Sequence, residues 1–148
     1  STRTTADTMY QMQEGSLSLP LDWIDKTMNV FVSAATGTEG VSFVVTRERL
    51  PWGMQFAEYA TSELQKLAKQ VPDYEAVASN ETTVSGRTAY AHEYKWSNNG
   101  RPLQQLLTMV ENGKQVLMLT FTAPGVLSPS QKALVEGVVQ SLRLNEPA

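Results

Sequence analysis

The chain has 148 residues, 41% of them hydrophobic, which is enough for one ordinary domain with a real core and too little for a second. A formal net charge of −3 with only 18% charged residues leaves no electropositive field for phosphates, so general nucleic-acid binding is disfavoured. With no cysteine and a single histidine, the chain has no material for disulfides, thiolate nucleophiles, thiolate zinc sites, iron–sulfur clusters or imidazole-cluster metal centres.

Residues 1–8 carry no apolar core of a signal peptide and read as a disordered lead or an expression remnant, ahead of a single domain over residues 9–148. No run approaches the ~18 apolar residues of a membrane span, so direct membrane insertion is not expected and the cytoplasm is the expected location. Tyr10 to Gln13, Ser16 to Leu19, Met28 to Ser33 and Val41 to Arg47 are alternating or β-rich runs, separated by Glu14-Gly15, by Pro20 to Lys26 and by Thr36 to Gly40. From about Gly53 to Gln70 the period turns helical through Phe56, Tyr59, Ala60, Leu64 and Leu67, and Val71-Pro72 ends the helix because the residue before proline resists the α region. Four more strands are expected: about Tyr74 to Ser79 or slightly beyond, Arg87 to Trp96, Leu103 to Val110, and Gln115 to Thr122. Asn99-Gly100 and Asn112-Gly113 supply the positive φ angles of tight hairpin turns. Ser128-Pro129 caps a second helix running to about Leu142. The Asn80-Glu81-Thr82 triplet fits a glycosylation sequon but comes with no secretory mark and carries no weight.

These elements predict an α+β domain, a curved antiparallel sheet with two α-helices packed on one face. With Asn112-Gly113 as the turn, Glu111 opposes Lys114 and the facing of the last hairpin follows. One face receives Leu106, Thr108, Val110, Leu117, Leu119 and Phe121, with Val41, Phe43 and Val45, and is expected to form the core under both helices. The other receives Leu103, Gln105, Leu107, Met109, Val116, Met118 and Thr120, joined by Met28, Val30, Val32, Ser42, Val44 and Thr46. An antiparallel sheet with a wet outer face alternates apolar and polar residues, and this one does not. The second face therefore needs a cover: the N-terminal strands with Pro20 to Lys26, a second copy, or a ligand. Its methionines and interleaved Ser42, Thr46, Gln105 and Thr120 make an adaptable apolar surface with scattered hydrogen-bonding groups.

Taken in order, the runs Tyr10 to Gly15, Leu19 to Phe31, Ser42 to Glu48, Phe56 to Leu67, Asn99 to Leu103 and Val116 to Thr120 resemble the DcrB-like effector-associated (Eag) chaperones of bacterial type VI secretion, and most closely the SciW type. The resemblance spans about Met9 to Leu144 and implies a Mog1/PsbP/DcrB-like fold. It implies a non-enzymatic cytoplasmic homodimer that shields the N-terminal transmembrane helices of an effector carrying a PAAR domain, an Rhs toxin in type, until delivery to the VgrG spike. It places cargo on the concave sheet surface, at Met28, Val30, Ser42, Val44, Thr46, Leu103 and Met118; the facing adds Gln105, Leu107 and Thr120. Relatives are expected to carry an amide near Glu63 and near Leu107, where this chain has an acid and a leucine, and Gln105 stands to take one of those roles.

Catalysis has little to work with. Any Ser-His-acid triad would run through His92, and His92 and Glu93 point to opposite faces of a strand. Asp22 and Asp25 lie in a turn segment, and the nucleophile elbow, the phosphate loop and the dinucleotide fingerprint are all missing. Trp23, Trp52 and Trp96 with Tyr90 and Tyr94 read better as packing than as a stacking platform for bases, given the acidic balance. No catalytic residue, metal ligand set or cofactor is expected. The alternative to the chaperone reading is a small-molecule or lipid-binding DcrB-like protein without an effector cargo.

Overall fold

The computed structural model describes residues 7–33 and 40–146, which form the elements β1 (Asp7–Gln11), β2 (Ser16–Pro20), β3 (Asn29–Val32), β4 (Ser42–Arg49), α1 (Phe56–Gln70), β5 (Glu75–Val84), β6 (Arg87–Asn98), β7 (Arg101–Asn112), β8 (Gln115–Pro124) and α2 (Pro129–Gln140). β1 and β2 pair as a separate two-stranded arm, and the other strands make one antiparallel sheet in the order β3-β4-β8-β7-β6-β5. β5 to β8 form a meander of hairpins because each junction supplies its turn residues. Ser85-Gly86 and Asn99-Gly100 both have positive φ at both turn positions, the type I′ geometry that matches strand twist.

The third turn differs from expectation. Asn112 opposes Gln115, so the turn residues are Gly113 and Lys114, and only Gly113 has a positive φ, the type II′ pattern with glycine first. Glu111 opposes Val116 instead of Lys114. The correction moves the register by two residues, an even shift, so every side chain keeps its predicted face. β5 also runs on to Val84, well beyond Ser79, with a bulge between Ala76 and Ala78.

The two helices lie on opposite faces, which corrects the expectation of both on one. α2 packs Val135 and Val139 on Val110, Leu117, Leu119, Phe121 and Ala123; α1 packs Phe56, Tyr59 and Ala60 on Tyr94, Leu107, Met109 and Val116. Both sheet faces are apolar, so either helix could have gone to either side; the crossover from β4 to β5, at opposite sides of the β8-β7-β6 block, carries α1 over the second face. The α2 side is fixed further by polar contacts. Ser128 accepts the Gln131 N–H at 3.1 Å while the Gln131 side chain accepts the Ser128 N–H at 2.8 Å, a reciprocal cap. Gln104, 2% exposed, accepts the Leu127 N–H at 2.7 Å and donates to Glu93, which Lys132 of α2 reaches at 2.9 Å. A buried amide held at both ends is satisfied rather than costly.

Candidate functional site

α1 covers the β6–β7 side of its face and the start of β8. Register places three rows of side chains across the sheet: Val32, Ser42, Thr122, Gln105 and Tyr94; Val30, Val44, Thr120, Leu107 and His92; Thr46, Met118, Met109 and Tyr90. Tyr94, Leu107, His92 and Met109 are buried at the α1 end of these rows. At the other end Val30 is 58% exposed and Val32 68%, while Ser42, Val44, Thr46, Leu103, Gln105, Met118, Thr120 and Thr122 are half-buried. The result is an open strip over β3, β4, β8 and the start of β7, walled on one side by α1. At ~4.8 Å between strands it is about 15 Å wide, and at ~3.3 Å per residue β4 gives it a length of about 26 Å.

Of the residues expected here, Val30, Ser42, Val44, Thr46, Leu103, Gln105 and Thr120 come together on the strip. Met118 sits at its margin, packed partly against the α1 cluster, and Leu107 is 9% exposed inside that cluster, so it belongs to the core. Met28 precedes β3 and is 57% exposed, with no ladder to fix its side. Among the three expected covers, the β1–β2 arm leaves Val30 and Val32 bare; the cover supplied by the chain is α1.

The polar groups of the strip are organised. Tyr94 donates its hydroxyl to Gln105 Oε1 at 2.6 Å, and Gln105 Nε2 donates to Thr122 Oγ1 at 2.7 Å. This hydrogen-bonded series fixes the Gln105 amide between Tyr94 and Thr122, on the same face as Thr120, Ser42, Thr46 and the valines. Thr122 and Tyr94 were not foreseen as site residues; the only sequence signal is the hairpin register, which sets them across from Gln105. Burial, then the charges of Glu63 and Glu48, push the Tyr59 hydroxyl up to about 12. Glu63 also pairs with Lys66 at 3.4 Å.

His92 belongs to the core. It is 5% exposed, with the Tyr74 hydroxyl 2.5 Å from Nε2 and the Ser79 hydroxyl 2.7 Å from Nδ1, and its ring clusters with those of Tyr74 and Tyr94, each centroid 5.5–6.1 Å from the others. Burial pushes its pKa below 6.5. Unfolding lets the imidazole regain its ordinary affinity for protons, so below about pH 6.5 the unfolded chain binds more protons than the folded one and stability falls as pH drops towards the folded value. Melting temperature is therefore expected to fall between pH 7 and pH 5 by more in the native protein than in His92→Gln; equal slopes would show that His92 does not carry the effect. Asp25 accepts the Thr27 N–H at 2.8 Å and the Thr27 hydroxyl, which lower its pKa. It is a turn acid, and Tyr10 of the arm reaches the same Thr27 hydroxyl at 2.7 Å. No group of three or more acidic or imidazole side chains able to hold a metal ion occurs among the described residues, and no helix among them is long and apolar enough to cross a membrane.

The opposite face carries a second apolar groove at the same edge of the sheet. Phe31, Phe43 and Phe121 stack across β3, β4 and β8, with centroids 5.8 and 4.1 Å apart, and α2 closes the far side with Leu134, Val135 and Val138. Phe31 is 55% exposed and Leu134 61%.

Comparison with known proteins agrees with this architecture. The family model described as DcrB matches residues 14–141. Effector EagT6 of Pseudomonas aeruginosa strain PAO1 is 27% identical over 136 residues, covering 91% of this chain and 94% of that protein. The crystal structure of PA94, a Pseudomonas aeruginosa protein of unknown function, superposes with a TM-score of 0.82 at 26% identity, covering 97% of this chain and 99% of the other. Cyanobacterial PsbP from Synechocystis sp. PCC 6803 shares the fold at 12% identity, with a TM-score of 0.51 over 94% of this chain and 92% of its own.

Proposed function

We propose that this chain, which belongs to the DcrB family, is a non-enzymatic type VI secretion chaperone that binds and shields the hydrophobic N-terminal transmembrane helices of an effector. The similarity to Effector EagT6 supports the secretion context. The observation that carries the reading is the open strip, a half-covered sheet face where Val30, Val32, Val44 and Leu103 alternate with Ser42, Thr46, Gln105 and Thr120. Cargo of the PAAR type, Rhs in class, would be held in the cytoplasm by a homodimer of this chain and passed to the VgrG spike.

The strip suits a membrane helix. A span of ~20 residues is about 30 Å long, close to the length of β4. Sequestering on the order of 1,000 Å² of apolar surface is a gross gain of about 25 kcal/mol before association costs, so contacts can be loose. Transmembrane helices meet one another through small and hydroxyl residues, and Ser42, Thr46, Thr120 and the anchored Gln105 present that same chemistry from a sheet. One strip contacts only one side of a helix, which is why a second wall is part of the proposal. A lipid or small-molecule role would be better served by a closed cavity than by an open face of this length, and the buried, fully bonded His92 supports a protein without catalytic chemistry.

The test is co-expression of the full chain with an effector fragment containing its N-terminal transmembrane helices and PAAR domain. The fragment is expected to copurify with this chain in detergent-free buffer. Recovery of the fragment only from membranes or inclusion bodies, whether or not the chain is present, would overturn the reading.

A further inference from the structure

On its α2 side the sheet is covered unevenly. Register sets Asn80, Ala91, Thr108 and Leu119 in one row and Ala78, Glu93, Leu106 and Phe121 in the next. The bulky members, on β7 and β8, pack with Val135 and Val139 of α2, whereas β5 and β6 offer alanines, which are too short to reach the helix. A cleft of about 250 Å³ is left between α2 and the β5–β6 hairpin. Two polar bridges flank it: Lys132 reaches Glu93 at 2.9 Å, and about two helical turns on, ~12 Å along α2, Gln140 donates to the Thr83 carbonyl at 3.1 Å.

The polar groups between the bridges lack partners. Thr108 lines the cleft and is 2% exposed, yet its hydroxyl has no hydrogen-bond partner among the described residues. Glu136 lies between Lys132 and Gln140 on one stripe of α2 and has no ion pair or hydrogen bond among them either, because Lys132, one turn away, is turned to Glu93. Glu93, its side chain 12% exposed, takes both Gln104 and Lys132 on Oε2, which leaves Oε1 for another donor. Native proteins seldom bury a polar group and leave it unbonded, since the lost hydration is not recovered. All three vacancies converge on one cleft.

We propose that this cleft binds the guanidinium group of an arginine presented by another polypeptide. The two carboxylates stand against one ammonium, so one negative charge is uncompensated. Every vacancy can accept a hydrogen bond, and a guanidinium brings five N–H donors in one plane with no acceptor, where a lysine brings three from a single point. Its aliphatic stem suits walls made by Ala78, Ala91, Leu106 and Val139. The volume is below the ~300–1,000 Å³ of pockets that take drug-sized ligands, which matches one side chain. A free amino acid would also carry its own carboxylate to the exposed Glu136, and an arginine inside a chain carries an amide there instead. The site lies on the face opposite the open strip and stands apart from the chaperone reading.

The probe is arginine blocked at both ends, N-acetyl-arginine methylamide, titrated into the full chain and followed by amide chemical shifts. Saturable shifts are expected at Thr82, Ala91, Thr108 and Glu136, in the millimolar range that suits a single side chain. The blocked citrulline analogue, of the same shape without the charge, is expected to bind about tenfold more weakly, and the blocked lysine analogue and free L-arginine roughly threefold. Glu136→Gln, at an exposed helix position, should keep the native melting temperature and weaken binding roughly threefold to fivefold. Thr108→Val should weaken it by about fivefold while the melting temperature holds or rises, because a hydroxyl without a partner has been removed. Absence of saturable shifts in the cleft, a citrulline or lysine analogue that binds as well as arginine, or native affinity in either variant would overturn the site. A Thr108→Val protein that melts well below the native one would show that the hydroxyl is structural and overturn the argument built on it. Free L-arginine binding as tightly as the blocked form would overturn the assignment to a polypeptide.

Discussion

Val44→Asp is expected to leave the protein folded and to abolish its capture of an apolar helix. Val44 sits in the middle of the strip between Val30 and Thr120, half-buried, with no helix above it. In the free protein the new carboxylate can turn to water, so the cost to folding is about 1–2 kcal/mol and the melting transition stays cooperative. With cargo seated, the same carboxylate faces hydrocarbon with no cation or donor beside it, and the desolvation penalty is several kcal/mol, on the order of a hundredfold or more in affinity. Pull-down of an effector fragment with transmembrane helices, set beside a thermal melt of the variant, separates the two effects. An unfolded variant would mean that the strip is core; a folded variant that still captures the fragment would mean that the strip is not the site.

Leu119→Asp is expected to do the reverse and leave no cooperative melting transition. Leu119 neighbours Thr120 in sequence, yet it points to the α2 face, where it is 3% exposed among Val110, Leu117, Phe121, Val135 and Val139. The variant loses about 2–3 kcal/mol of burial and buries a charge with no partner, which costs several kcal/mol more. Against a total stability of about 5–15 kcal/mol for a domain of this size, that is enough to unfold it. Circular dichroism at neutral pH and a urea titration would check it. A cooperative transition near that of the native protein would show that the face under α2 is not the core.

The contrast between these adjacent strands' residues was legible in the sequence because strand facing depends only on parity. A turn placed one position wrong at Asn112-Gly113 moved the register by an even number and left Val44 and Leu119 on their correct sides. Helix placement had no such protection. α1 shows a clear apolar stripe through Phe56, Tyr59 and Ala60, but a stripe says only that something is covered, and both faces of this sheet are apolar. That single ambiguity decided the fate of Leu107, which is core under α1, and left Val30, Ser42, Val44 and Thr46 open. The Tyr94–Gln105–Thr122 chain was beyond reach for another reason: it joins three strands and needs the side-chain geometry of all of them at once. His92 was correctly read as a sheet residue, while its two hydroxyl partners, Tyr74 and Ser79, depend on how β5 pairs with β6, which no turn motif in the sequence fixes.

The order of strands in the sheet has a temporal consequence. β4 is bound on one side by β3 but on the other only by β8, so Ser42 must wait for Thr122 and Phe43 for Phe121. Such distant pairings are slow to form. At ~5–20 residues per second of synthesis, β8 leaves the ribosome roughly 4–15 s after β4, and until it arrives β4 has only β3 to pair with. The strip therefore cannot exist on a growing polypeptide. Until β8 is translated the apolar side chains of β4 lack the neighbour that completes the strip, so a molecule of this protein could receive another chain's hydrophobic segment there only once its own β8 is in place.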